Sequence, residues 1–184
     1  FVVLDDADLH AAVRIAVMSR YGNAGQTCIA AKRFIVVGSV ADEFRDRFVE
    51  AASRLQPGDP HADGTGLAPM ARADLREELH RQVRASVAKG ARLLLGGEPG
   101  QGDTVYPATV LDGVEPGMPA WHEELFGPVA SLIRARDEAD AIRIANDTAF
   151  GLGASVWTRD LERGEAAARR IAAGACFVNA LVRS

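Results

Sequence analysis

Cysteine is scarce: Cys28 and Cys176 are the only two in 184 residues. That is too few for a disulfide framework in a chain of this length, so a reducing compartment, the cytoplasm, is the expected setting. Any sulfur chemistry is then that of a free thiol. Long apolar runs are also missing; stretches such as residues 34–37 and 93–95 are far shorter than the roughly 20 residues a membrane-spanning helix needs. No basic run occurs, and 21 Lys+Arg stand against 25 Asp+Glu for a net charge of -4. Counterion release from nucleic acid or an anionic membrane needs clustered cations, so neither partner is expected. The four histidines, His10, His61, His80 and His122, are scattered without a paired spacing or a Cys-x-x-Cys array, so no metal site is expected. The chain opens on Phe1-Val2-Val3-Leu4 without an initiating Met, a basic leader or a small-residue cleavage site. It reads as a piece of something longer.

What is present is the composition of a folded domain: 48% hydrophobic and 25% charged residues, with 18 glycines and 8 prolines for turns. Residues 1–184 read as one domain without repeat or linker. Asp5, Asp6 and Asp8 precede an apolar helical pattern that runs to about Arg20. Glycines and an asparagine in 22–28 then break it, which puts Cys28 on a turn. Residues 33–37 have strand character. Phe44, Phe48, Ala51, Ala52 and Leu55 recur at helical spacing until Pro57 and Pro60 end the pattern. Leu75, Leu79, Val83 and Val87 mark a third helix, stopped at Gly90. Residues 92–95 read as a buried strand and 104–111 as a second β segment. Strand and helix then alternate: 129–133, 137–145, 153–157, 161–172 and 176–178. This alternation predicts an α/β fold, a mostly parallel sheet covered by helices on both faces.

Two constellations carry chemistry. Cys28 lies on a glycine-containing turn, where Gly25 lets the backbone approach a ligand closely and the Thr27 and Cys28 amides can receive an oxyanion. Cys176, inside the apolar run 175–178, reads as structural. A Cys–His hydrolase is an alternative, since such pairs meet in space rather than in sequence, and His122 is its best candidate. The second constellation is Glu123-Glu124-Leu125-Phe126-Gly127-Pro128. A carboxylate accepts from two vicinal hydroxyls, and an aromatic two residues on can lie against a flat ring; ribose and nicotinamide suit that pair. The same stretch also reads as a solvated acidic turn. Gly151-Leu152-Gly153 is not a phosphate loop, because the third glycine of a dinucleotide fingerprint is absent and a strand follows where a phosphate site needs a helix.

Asn23-Ala24-Gly25-Gln26-Thr27-Cys28, Glu124-Leu125-Phe126-Gly127-Pro128, Asn146-Asp147 through Gly151-Leu152, and Val178-Asn179 occur in that order along nearly the whole chain. In this conjunction the sequence resembles the aldehyde dehydrogenase superfamily. Its continuation Ile29-Ala30-Ala31-Lys32-Arg33-Phe34-Ile35-Val36, with Ala68-Pro69-Met70-Ala71-Arg72, is most similar to the bacterial succinate-semialdehyde dehydrogenase branch.

The resemblance implies a catalytic domain that uses NAD or NADP to oxidise a small aldehyde, with succinate semialdehyde as the expected substrate. Cys28 corresponds to the nucleophile that forms a thiohemiacetal and then a thioester. Glu124 corresponds to the ribose-binding glutamate and Phe126 to the aromatic beside the nicotinamide. Homo-oligomers are implied as well. The water-activating glutamate of the family belongs to a Glu-Leu-Gly-Gly motif that would lie just before Phe1, and the cofactor-binding domain farther upstream. The 184 residues alone are therefore expected to be inactive. Relatives specific for succinate semialdehyde often carry an arginine six residues before the nucleophile, where this chain has Gly22; Arg20 and Arg183 are the candidates to replace it in binding the substrate carboxylate, and each also reads as a surface charge. Two competing readings are a CoA-acylating relative, which resolves the thioester with CoA, and a non-catalytic oligomerising scaffold.

Overall fold

Alternate side chains of the central strands go to opposite faces of the sheet, and both sets are apolar. Val2, Ile35, Val37 and Ile133 enter one core, while Val3, Phe34, Val36 and Leu132 enter the other. The computed structural model describes residues 1–183. Its strands are β1 (Val2–Val3), β2 (Arg33–Val37), β3 (Arg92–Leu95), β4 (Thr109–Asp112), β5 (Val129–Ala135), β6 (Gly153–Trp157) and β7 (Ala175–Val178). They form one sheet in the order β3-β4-β5-β2-β1-β6-β7. Every neighbouring pair is parallel except the antiparallel β3–β4 edge. The expected α/β sheet, mostly parallel and covered on both faces, is what the chain adopts.

Helices α1 (Leu9–Tyr21) and α2 (Gly38–Ser53) cover one face, where Phe34, Phe44 and Phe48 form an aromatic cluster with Tyr21. Helices α3 (Ala73–Ala88), α5 (Glu138–Asn146) and α6 (Leu161–Ala168) cover the other, with the single-turn α4 (Pro119–His122) beside them. Aspartates start three of these helices. Asp8 accepts from the Ala11 amide at 3.1 Å, Asp137 from Asp140 at 2.8 Å and Asp160 from Arg163 at 3.0 Å, satisfying amides that have no partner within the helix.

Several elements differ from expectation for identifiable reasons. Strand β3 exists, yet Arg92, Leu93 and Leu94 are exposed, because it is the sheet's edge and pairs on one side only. The segment 104–111 joins the ladder only from Thr109; Pro107 has no amide to donate. Helix α2 starts at Gly38, ahead of its first apolar residue, and α6 stops at Ala168 rather than 172. Strand β1 and helix α4 are too short for periodicity to reveal.

Phe1 before β1 and the loops that precede β2, β5, β6 and β7 all lie at the amino ends of parallel strands. Cys28, Glu124 and Gly151 lie in three of them, and these strands are consecutive in the order β5-β2-β1-β6-β7. Segments far apart in sequence are therefore gathered along one rim of the sheet.

Candidate active site

Cys28 is exposed, on the turn between α1 and β2. The turn begins with three consecutive residues in the left-handed region, Asn23 and Ala24 at φ 52° and Gly25 at φ 72°. The Asn23 side chain donates to the Gln26 carbonyl at 3.2 Å, and the Gln26 amide donates back to the Asn23 carbonyl at 3.0 Å. Among the described residues, neither the Thr27 nor the Cys28 amide donates to a protein acceptor. Gly25 has a second reason to be glycine. A Cβ there would sit 2.3 Å from the Gly127 carbonyl oxygen, so the close approach is to the Glu-Leu-Phe-Gly-Pro segment and not to a ligand. The two motifs pack against each other, backbone to backbone.

Further bonds hold this junction. Gln26 Oε1 accepts from the Ala71 amide at 3.1 Å, joining the cysteine turn to residues 68–72. From α3, the buried Gln82 donates to Glu123 Oε2 at 2.9 Å and to the Glu124 carbonyl at 3.4 Å, and Ser86 Oγ accepts from the Ala120 amide at 3.0 Å. Trp121 donates from its indole to Asp147 at 3.0 Å, while the Arg33 guanidinium lies 5.2 Å from the Trp121 ring. Asn146 bridges to the last loop, donating to the Arg170 carbonyl and accepting from the Ala172 amide. These interactions fix the rim of a cavity of about 480 Å³, whose lining includes Cys28, Lys32, Trp121, Glu124, Phe150 and Leu152. That is an ordinary size for a small-molecule site.

The cavity therefore brings Cys28 and Glu124 together. Phe126 is half-buried beside it, its ring 5.6 Å from Lys32 Nζ, and does not itself line the space. Arg183 is exposed and follows Val182, which does line it. Arg20 requires a correction. It is fully buried, its Nη2 donates to the Gly25 carbonyl at 2.6 Å, and its Nε and Nη1 have no partner among the described residues. Burial pushes this guanidinium down to about 10, against a smaller opposing pull from Tyr21 and Glu124, so it remains charged at neutral pH. It lies under the cysteine turn with no side open to the cavity, and a substrate carboxylate has no route to it. Cys176 is half-buried on β7, and burial pushes its thiol up. His122 is exposed, accepts from the Gly117 amide at 3.0 Å and lies outside the cavity lining, so no Cys–His pair forms there.

Lys32 escaped the sequence reading, since a lysine before a strand normally signals a solvated flank. Its ammonium is 3.1 Å from Glu124 Oε1 and within 3.1 to 3.4 Å of the Thr27, Cys28 and Ala30 carbonyls. Burial lowers its pKa; Arg20 adds to that effect and Glu124 opposes it.

The sequence profile of the aldehyde dehydrogenase family matches residues 1–184. The chain belongs to that family. Among curated relatives, succinate semialdehyde dehydrogenase [NAD(P)+] of Escherichia coli is 51% identical over 180 residues, covering 97% of this chain and 39% of its own length. A probable succinate-semialdehyde dehydrogenase [NADP(+)] of Synechocystis is 44% identical, covering 100% of this chain and 41% of its own length. Among solved structures, an NAD-dependent aldehyde dehydrogenase from Sinorhizobium meliloti superposes with a TM-score of 0.94 at 38% identity, covering 100% of this chain and 37% of that one. This aldehyde dehydrogenase chain thus spans about two fifths of the length of the relatives it matches. The family's motifs divide by task here: Asn146 ties the end of α5 to the loop before β7 and Asn179 ties the end of β7 to Thr158 after β6, whereas Cys28 and Glu124 face open space.

Proposed function

We propose that this chain supplies the nucleophile and part of the dinucleotide site of an NAD(P)-dependent aldehyde dehydrogenase acting on succinate semialdehyde or a similar small ω-carboxy aldehyde. The observation that carries this reading is the exposed Cys28 in the same cavity as Glu124. In the proposed reaction the Cys28 thiolate attacks the aldehyde carbon and forms a thiohemiacetal. Its new alkoxide is received by the Cys28 amide, whose N–H is not committed to another protein acceptor. Glu124 and Phe126 would hold a nicotinamide dinucleotide, which would supply the acceptor for the hydride that the adduct expels as it becomes a thioester. Water then cleaves the thioester, releasing the acid and restoring the thiol.

The residues fit the dinucleotide. Glu124 is partly exposed, with Oε1 turned to Lys32 and Oε2 unpaired among the described residues, which leaves an acceptor for a vicinal diol. Phe126 offers an aromatic surface next to it. The close relatives named for succinate semialdehyde support the substrate class, and Arg183, at the end of the segment that lines the cavity, is the proposed partner of the distal carboxylate.

The test uses the native protein that contains these residues. Iodoacetamide at neutral pH is expected to modify Cys28 before Cys176 and to abolish NAD(P)-dependent oxidation of succinate semialdehyde in step with that modification. Cys28→Ser is expected to lower kcat by at least about a thousandfold, the scale on which a lost covalent nucleophile is felt. Full turnover with Cys28 blocked or replaced would overturn the proposal.

A further inference from the structure

We propose that Lys32 is a positioning residue that locks the nucleophile turn to the Glu124 carboxylate, so that one ammonium group sets the distance between the Cys28 sulfur and the bound ribose. This inference rests on the proposed role of Glu124. Four oxygens converge on Lys32 Nζ: Ala30 carbonyl at 3.1 Å, Thr27 carbonyl at 3.3 Å, Cys28 carbonyl at 3.4 Å and Glu124 Oε1 at 3.1 Å. Three belong to the turn that carries the sulfur, and the fourth belongs to the facing motif. A lysine has three N–H donors directed tetrahedrally, so it can serve turn and carboxylate together.

The surroundings make this more than a surface ion pair. The Lys32 side chain is 17% exposed and that of Glu124 36%, so the pair is partly withdrawn from the water that weakens exposed salt bridges. The Phe126 ring lies 5.6 Å from the ammonium, which ties the second proposed cofactor contact to the same group. The other cation near Glu124, Arg20, is buried and bonded to Gly25, and cannot turn to replace it. Without Lys32, three carbonyl oxygens would face a carboxylate with no donor between them. Glu124 would then swing away from the turn, and the second oxygen would lose its aim at the ribose.

The test is a double-mutant cycle in the native protein, read as the Kd for NAD+ and NADP+ by calorimetric titration. Lys32→Met is expected to weaken binding of the preferred dinucleotide about tenfold, as loss of a charge-assisted contact would. Lys32→Arg keeps the charge and the reach to Glu124 and is expected to stay within about threefold of the parent. In a Glu124→Gln background the Lys32→Met effect is expected to shrink to less than about twofold, because the group it acts through is gone. A merely structural lysine would lower the melting temperature with Kd unmoved, or give the same loss of affinity in both backgrounds. Either result overturns the inference. If Lys32→Met does not fold, Lys32→Gln carries the same cycle with the same expectations. Failure of the parent protein to bind either dinucleotide would instead overturn the proposed function itself.

Discussion

Arg20 and Lys32 show how far a residue's job depends on what surrounds it. Both are cations near the cysteine turn. Arg20 points beneath it, is shut off from solvent and spends its one bond on the Gly25 carbonyl, whereas Lys32 reaches across it to the Glu124 carboxylate. In sequence the arginine looks the better ligand for an acidic substrate and the lysine looks ordinary. Packing reverses that order. Arg20→Met in the native protein is therefore expected to leave the ratio of kcat/KM for succinate semialdehyde to that for a neutral aldehyde within about twofold of the parent, whatever it does to either value alone. A selective loss with the acidic substrate would place Arg20 against the substrate after all. The open position of Cys28 and Glu124 was legible because glycines flank the cysteine and a carboxylate is odd for an interior position. Lys32, Gln82 and Trp121 were not, since a single polar or aromatic residue carries no record of the partner it will meet across the sheet.

At the scale of elements, caps and charge clusters do local work. Helix α5 begins with Asp137 as its cap, and one turn in, the buried Asp140 accepts from Arg136 and Arg143. Hydrogen bonds from the Arg136 side chain and amide, and from Arg143, hold the Asp140 carboxyl well below the usual carboxylate range. A carboxyl whose folded pKa is depressed contributes stability that is complete above its unfolded value, near pH 4, and is lost as the pH falls toward the folded one. Asp140→Asn is expected to reduce unfolding free energy between pH 6 and 7, with the gap from the parent closing below about pH 4. Urea denaturation across that range checks it; a gap that stays constant down to pH 3 would contradict the assignment. The sequence located α1, α3, α5, β2 and β6 closely, because apolar patterning marks each of them and a capping aspartate agrees at α1 and α5. It missed β1 and α4, where two or four residues are held by neighbours rather than by their own pattern.

At the scale of the whole molecule, one face of the sheet and one of its rims divide the labour. The α1–α2 face packs Phe34, Phe44, Phe48 and Tyr21 into one aromatic core, while Phe1 and the loops at the amino ends of β5, β2, β6 and β7 shape the cavity. Ligands of open parallel sheets usually sit beyond the carboxyl ends of the strands; this cavity lies at the opposite rim. Phe48→Ala removes a fully buried ring and is expected to cost about 3–5 kcal/mol of unfolding free energy. Below the melting transition it should leave the rate of Cys28 alkylation within about twofold of the parent, because Phe48 packs in the α1–α2 core and does not line the cavity. A large change in that rate would show that the core on this face sets the geometry of the thiol.

The sequence by itself determined the alternation of strands and helices, the two-sided burial of the sheet, the family resemblance and the placement of Cys28 on a glycine-containing turn, because periodicity, turn chemistry and short motifs are local properties of the chain. Only the tertiary structure decided which end of the strands forms the cavity, that Arg20 is sealed away, and that Lys32 spans from the Cys28 turn to Glu124. Those outcomes depend on strand order and close backbone approach, as where Gly25 meets Gly127 about a hundred residues downstream.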